Sequence, residues 1–294
     1  MGIKKYIQEK IFGISLTVED ISMEKVRKME RVAALTKILA DRPQHLFSLS
    51  YFSELFGFAK STICEDITTI KETMGHFGLG TVETVAGAAG GVRFVPTVPA
   101  DEADKLLHEL ACRLAEPDRI IPGGFLYMSD LLFTPHLMVK AGEIFMERLA
   151  HLSPDYILTV ETKGIPLAFM VARAFDLPLI TVRRGSRVTE GSSVSINYVT
   201  GSSKRIQTMS LPKRALPAGA RVLVIDDFMK AGGTAKGMVD LAQEVGAEVT
   251  GIGVLVATAE PEHKLVEDYL ALLILHDIDE HTKVTDIRPV LTTG

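Results

Sequence analysis

Val222-Leu223-Val224-Ile225-Asp226-Asp227-Phe228-Met229-Lys230-Ala231-Gly232-Gly233-Thr234 is the stretch from which the fold can be read. Val222 to Ile225 are apolar and mostly β-branched, the composition of a strand buried on both faces of a parallel sheet. Two carboxylates follow. A short loop with paired glycines comes next, and Thr234 opens a helical pattern. Such a strand–loop–helix unit has its crevice at the carboxyl end of the strand, where open α/β sheets bind ligands. Glycines let backbone N–H groups come close to an anion, and a helix start adds unpaired donors and the positive end of the dipole. Adjacent carboxylates suit another task, accepting hydrogen bonds from two neighbouring hydroxyls. Together these features describe a pocket for a ribose 5-phosphate. Carboxylates merely solvated at a strand-to-helix turn are the alternative use of the same residues.

At 294 residues the chain has room for two domains or one large one. A hydrophobic fraction of 47% with 23% charged residues is ordinary for a globular protein. No apolar run is long enough to span a bilayer, and Met1 to Leu16 lack the apolar core and cleavage site of a secretory signal. Cys64 and Cys112 are the only cysteines and form neither a metal spacing nor a disulfide framework. The expectation is a cytoplasmic protein without a membrane partner. Net charge is −5, so nucleic-acid binding would need a local patch.

Working outward from the central stretch, strands and helices alternate. Tyr156–Val160 reads as a strand, Ile165–Phe175 as a helix, Leu179–Val182 as a strand and Thr234–Val245 as a helix; Val249–Val256 and Leu272–Leu275 read as further strands. This is the order of a mostly parallel sheet covered by helices on both faces. Arg183 to Pro217 reads as a long polar segment. Upstream, Asp101–Leu114 and Pro135–Leu149 read as helices, and Pro96 and Pro99 mark a boundary. Before it, a helix through Met29, Val32, Leu35 and Leu39 is followed by a short helix capped by Ser50. After Gly57 comes a helix, begun by Ser61 and Thr62, with Ile63, Ile67, Ile70 and Met74 on one face. That is a helix-turn-helix layout. Thr81–Val85 and Val92–Val95 around a glycine-rich tip make a wing. The domains expected are an extension over 1–22, a winged helix over 23–97 and an α/β effector domain over 98–294.

Thr162-Lys163-Gly164 lies between a strand and a helix, where it can hold a phosphate or serve as a plain turn. The polar segment carries Arg183, Arg184, Arg187, Lys204, Arg205, Lys213 and Arg214, which could close over a polyphosphate or belong to a solvated hairpin. Lys60, Ser61, Thr62 and Thr69 are candidate DNA contacts of the recognition helix, and Arg93 of the wing. Arg27, Lys28 and Arg31 add positive charge to the first helix, whereas Glu65, Asp66 and Glu72 oppose a broad DNA grip. The eight histidines are scattered without ligand spacing, so neither a metal site nor a catalytic triad is expected.

The central stretch resembles the phosphoribosyl pyrophosphate (PRPP) motif of type I phosphoribosyltransferases, with Ala231 where those enzymes commonly carry Thr. Thr162-Lys163-Gly164 resembles their pyrophosphate loop, and the polar segment stands where they carry a flexible catalytic loop. The two domains in this order resemble the purine operon repressor family of Gram-positive bacteria. Lys60-Ser61-Thr62-Ile63-Cys64-Glu65-Asp66, Thr84 to Val92, Ile121-Pro122-Gly123-Gly124, Val188 to Ser192, Ser195-Ile196-Asn197-Tyr198-Val199 and Arg205 to Leu211 carry the likeness. It implies a winged helix-turn-helix domain followed by a type I phosphoribosyltransferase-like parallel α/β sheet domain. It implies a homodimeric repressor of purine biosynthesis and transport genes that binds double-stranded operator DNA, with PRPP as inducer and Mg²⁺ as the ion that could accompany it. Guanosine alarmones (ppGpp) are implied as competing corepressors. Asp226, Asp227, Phe228, Lys230, Ala231, Gly232, Gly233 and Thr234, with Thr162, Lys163, Gly164, Arg184, Tyr198 and Lys204, are the effector residues expected. The other reading is an active purine phosphoribosyltransferase, most plausibly of xanthine type.

Overall fold

The computed structural model describes residues 26–87, 90–185, 191–199 and 206–291. The chain forms two compact units, one up to Thr97 and the other from Val98.

The first unit packs helices α1 (Lys28–Asp41), α2 (Leu49–Phe56) and α3 (Lys60–His76) against the hairpin β1 (Thr81–Val85) and β2 (Gly91–Val95). Its core joins Leu35 and Leu39 of α1, Phe52 and Leu55 of α2, Ile63, Ile67 and Ile70 of α3, and Val82, Val92 and Phe94 of the hairpin. Ser48, not Ser50, caps α2, accepting from the Tyr51 N–H at 3.1 Å. Capping needs the last residue before the helical turn, and Leu49 is already helical. Gly57 closes α2 in the left-handed region at φ 71°. The helix α3 begins at Lys60, one residue earlier than its Ser61-Thr62 start suggests. Phe47 exchanges two backbone hydrogen bonds with Val92, giving the wing a short third partner. A side chain at Gly91 would lie 2.2 Å from the Phe47 carbonyl oxygen, so this pairing needs glycine.

The second unit is built on one sheet. In chain order its remaining elements are α4 (Ala100–Leu114), β3 (Ile120–Ile121), β4 (Phe125–Leu126), α5 (Ser129–Leu132), α6 (Pro135–Leu149), β5 (Tyr156–Val160), α7 (Ile165–Phe175) and β6 (Leu179–Val182). There follow β7 (Ser193–Val199), β8 (Ile206–Pro212), β9 (Arg221–Met229), α8 (Gly233–Glu244), β10 (Glu248–Thr258), β11 (Tyr269–Asp279) and β12 (Val284–Pro289). The sheet runs β12-β11-β10-β9-β5-β6, parallel throughout except for the antiparallel edge strand β12. Alternation along β9 serves both faces. Leu223 and Ile225 enter one core with Phe145, Leu167 and Val171, and Val222 and Val224 enter the other with Met238 and Leu241. From β5 the chain moves outward to β6, and from β9 it moves the other way to β10 and β11. The connections therefore diverge between β5 and β9, and such a switch point opens a crevice at the strand ends.

Several strands differ from the sequence reading, which included none at β3, β4 or β12. The segment Arg183–Pro217, read as long and polar with a solvated hairpin as one alternative, contains the antiparallel hairpin β7–β8, whose Tyr198, Met209 and Leu211 are buried in the α8 core. Its alternating residues pay for extended structure by packing against α8. The strand β9 continues past Ile225 to Met229, because Asp226 and Phe228 keep register with Val254 and Val256 of β10. Lys204, Arg187, Arg205, the wing-tip Ala88 and Ala89, and the extension 1–22 lie outside the described residues. No helix among the described residues is long and apolar enough to cross a membrane.

Candidate functional site

The crevice between β5 and β9 opens into a cavity of about 670 Å³. Asp226 to Ala235 form one side of it, and Lys163, Arg184 and Tyr198 reach it from three other segments. Eleven of the residues expected to meet an effector therefore line one cavity: Asp226, Asp227, Phe228, Lys230, Ala231, Gly232, Gly233, Thr234, Lys163, Arg184 and Tyr198. Thr162 and Gly164 belong to the β5–α7 turn and are not lining residues. Gly164 has another role there. A side chain on it would come 2.8 Å from Asp226 Oδ1 and 2.6 Å from Thr159 Oγ1, so its bareness lets the turn pack behind the carboxylate.

Asp226 is buried, and its Oδ1 accepts from the Asp227 backbone N–H at 3.0 Å. Burial holds the Asp226 carboxyl well above the usual carboxylate range. The charge of Asp227 pushes it further up, and Arg184 opposes both. Burial also raises Asp227, with Asp226 as hydrogen-bond partner and Lys163 acting the other way. A pair of carboxylates between two cations can accept from hydroxyls or hold a cation once the pocket is filled. The loop Lys230–Gly232 enters α8 with Gly232 at φ 80°, so the backbone turns sharply at the helix start. Tyr198 donates to Gln207 Oε1 at 2.9 Å across the hairpin. Burial raises its hydroxyl pKa, while the Arg184 charge and, less, a hydrogen bond with Thr234 act the other way.

The cavity also has walls that the sequence argument did not include: Gly123, Gly124, Phe125, Leu126 and Met128 from the β3–β4 region, Gln207, Thr258 and Glu260, and Leu275 to Ile278 at the end of β11. Three separate sheets contribute these walls: the β3–β4 hairpin, the β7–β8 hairpin and the strand ends of the six-stranded sheet. The Gly123 N–H donates to Glu280 Oε2 at 3.2 Å, tying the β3–β4 tip to the turn after β11.

In the winged unit Lys60 and Ser61 are exposed at the start of α3, while Thr62 and Thr69 are half-buried. Ala59 precedes them without a capping side chain, leaving first-turn amides for a phosphate. The Thr69 hydroxyl donates to the Glu65 carbonyl at 3.1 Å. Arg27 and Lys28 are exposed, and the Arg27 N–H is capped by Glu30. Arg31 corrects the sequence reading. It is buried, bonded through two guanidinium nitrogens to Asp66, and its guanidinium carbon lies 4.1 Å from the Phe58 ring centroid. It cannot reach DNA, and Asp66, being neutralised in the core, does not repel DNA either. Arg93 stands on the wing but pairs with Glu83 of the opposite strand, Nη2 to Oε2 at 2.7 Å.

A model of the N-terminal domain of the bacterial purine repressor matches residues 27–96, and a model of the phosphoribosyl transferase domain matches residues 130–286. The chain is 47% identical over 264 residues to the purine biosynthesis transcriptional repressor PurR of Bacillus subtilis, covering 90% of this chain and 93% of that one. It is 37% identical over 263 residues to the purine biosynthesis transcriptional activator PurR of Lactococcus lactis, covering 90% and 97%. Among solved structures, adenine phosphoribosyltransferase of Giardia lamblia superposes with a TM-score of 0.51 at 19% identity. That match covers 62% of this chain and all of the other, and it is a likeness of fold alone.

Proposed function

This chain belongs to the bacterial purine repressor family, and from that premise we propose that it is a DNA-binding transcriptional repressor of purine biosynthesis and transport genes. In this reading PRPP is the inducer. The observation that carries it is the cavity in which Asp226 and Asp227 stand beside the glycine loop Lys230–Thr234, with Lys163 and Arg184 facing them. The carboxylates suit the ribose hydroxyls, the loop and helix start suit the 5-phosphate, and the two cations suit a pyrophosphate. Thr162 and Gly164 shape the turn that presents Lys163. Guanosine alarmones such as ppGpp share this phosphate chemistry and would compete as corepressors. Mg²⁺ would enter with the polyphosphate, since Asp226 and Asp227 offer the oxygen donors it prefers. The working form is a cytoplasmic homodimer on double-stranded operator DNA.

The two domains divide the work as binder and sensor. A ligand shifts such a protein only through different affinities for its two states. PRPP must therefore bind the DNA-free form more tightly, and ppGpp the DNA-bound form. A DNA-binding titration across salt concentrations, with and without each ligand, tests this. PRPP should weaken operator binding and ppGpp should not. Tighter operator binding with PRPP would instead support the activator sense named for the Lactococcus relative.

The phosphoribosyl transferase match over residues 130–286 favours one second reading, an active xanthine-type transferase. Binding a substrate does not by itself lower the barrier to its reaction, and Ala231 leaves the loop one hydroxyl short of the transferase pattern, with Thr234 retained. Pyrophosphate release with xanthine, guanine, hypoxanthine or adenine at about 1 per second or faster, the pace of ordinary enzymes, would establish the transferase. The repressor reading expects far less.

A further inference from the structure

The outer side of the phosphate loop is gripped by the segment after β10, whose Thr258 and Glu260 line the cavity and whose Lys264 and Leu265 do not. Lys264 Nζ donates to the Thr258 carbonyl at 2.7 Å and the Pro261 carbonyl at 2.6 Å, and lies 3.3 Å from Thr258 Oγ1. An ammonium has three donors and no acceptor, and here all three are directed at the Thr258–Pro261 turn, closing it into a ring. The ring touches the loop after β9 at two places. Thr258 Oγ1 shares its proton between the Glu260 carbonyl at 2.6 Å and the Lys230 carbonyl at 3.2 Å. Next to Lys264, the Leu265 N–H donates to the Ala231 carbonyl at 2.9 Å.

Two consecutive carbonyls of the phosphate loop, Lys230 and Ala231, are thus held from one side. A trans peptide places its C=O and N–H in opposite directions. Holding those carbonyls therefore aims the Ala231 and Gly232 N–H groups away from the ring. These are the donors with which a glycine loop at a helix start holds a phosphate. The fit is close: a side chain on Gly232 would stand 3.2 Å from the Leu265 nitrogen and 3.3 Å from Val266.

We propose that Lys264 is a positioning residue for effector binding, which holds the loop Lys230–Gly233 in its phosphate-binding form by closing the Thr258–Pro261 turn. The proposal rests on the effector reading of the cavity. Burial lowers the proton affinity of Lys264, opposed by Glu260, so the charge is kept there against a desolvation cost that its acceptors offset.

The test uses the full chain with both exposed cysteines replaced, Cys64→Ser and Cys112→Ser. Lys264→Cys is introduced, and alkylation with 2-bromoethylamine then rebuilds an ammonium on a thioether stem. Calorimetric titrations use ribose 5-phosphate, PRPP and pyrophosphate. Lys264→Cys should weaken ribose 5-phosphate and PRPP by about tenfold, the worth of roughly one well-made hydrogen bond, and alkylation should restore both. Pyrophosphate alone should bind the variant unchanged, because it is drawn to Lys163 and Arg184. Unchanged ribose 5-phosphate affinity in the variant overturns the proposal. So does an equal loss for all three ligands, the mark of a merely structural lysine. If the parent binds none of the three, the effector reading fails with it. Should the variant not fold, hydrogen exchange on the parent decides. Leu265 does not line the cavity, yet ribose 5-phosphate should slow exchange of its amide; unaltered exchange overturns the proposal.

Discussion

Arg31 of α1 and Asp66 of α3 form a two-pronged ion pair inside the winged-helix unit, with side chains 5% and 1% exposed. The pair links the first helix to the recognition helix at its buried face. Removing one partner of such a pair leaves an uncompensated buried charge and costs about 3–5 kcal/mol. Asp66→Ala should lower the denaturation midpoint of the winged-helix unit accordingly. Arg31→Met with Asp66→Leu should recover much of the loss. A single variant as stable as the parent in urea unfolding would show that the pair is not needed.

Lys60 is exposed at the start of α3, and its charge is expected to meet a phosphate. Lys60→Ala should reduce the magnitude of the log K versus log salt slope for operator DNA by about 0.9. The loss should be similar across operator sequences, because phosphate contacts do not read bases. Arg93→Ala should change the slope less, since Glu83 already matches that charge. An unchanged slope with Lys60→Ala would place the phosphate contacts elsewhere.

Asp226→Ala with Asp227→Ala should give a protein that still binds operator DNA but no longer responds to PRPP. Both carboxylates line the cavity, and both belong to β9 of the second unit. A gel-shift titration with PRPP checks this, and full release of DNA from the double variant would sink the effector reading.

The raised Asp226 carboxyl has two consequences of opposite value. Burial, then the Asp227 charge, makes the folded state hold a proton more tightly there than the unfolded chain does. The contribution of this group to stability is therefore most favourable at acid pH and falls as pH rises from the ordinary carboxylate range through the raised value. Asp226→Asn should melt above the parent at neutral pH, and the gain should disappear at acid pH. Ligand hydroxyls favour the ionised form, so PRPP binding should release protons and strengthen with pH across the same window. Calorimetry in buffers of different ionisation enthalpy measures the release; equal proton release by Asp226→Asn would assign it to the ligand's own phosphates.

The β9 stretch was legible because strand, carboxylates, glycines and helix start are contiguous, so local chemistry and tertiary site coincide. Arg31 shows where that reading runs out. It stands four residues before Leu35 and eight before Leu39, on the stripe those leucines bury. The period therefore marked it as a core position, and its charge alone suggested a surface one. Asp66 likewise lies three residues after Ile63 and four before Ile70. The β7 strand also carried its signal, since Val194, Ile196 and Tyr198 alternate with polar residues. Phe125, Glu260 and Asp277 had no local signal. Glu260 and Asp277 meet the cavity through the strand order that sets β10 beside β11, and Phe125 through the packing of the separate β3–β4 hairpin, neither of which a single segment encodes.

The hairpin and the Lys230–Gly232 loop share a support. A side chain on Gly237 of α8 would stand 3.1 Å from the Tyr198 ring and 3.0 Å from the Met209 sulfur, so the hairpin lies directly on the helix backbone. The first turn of that same helix leaves the loop that begins at Lys230. A small rotation of α8 would therefore displace the Lys230–Gly232 loop and the tyrosine together, as two tools on one handle. Gly237 sets the tightness of that joint, about one helical turn beyond the start of α8 and outside the cavity lining.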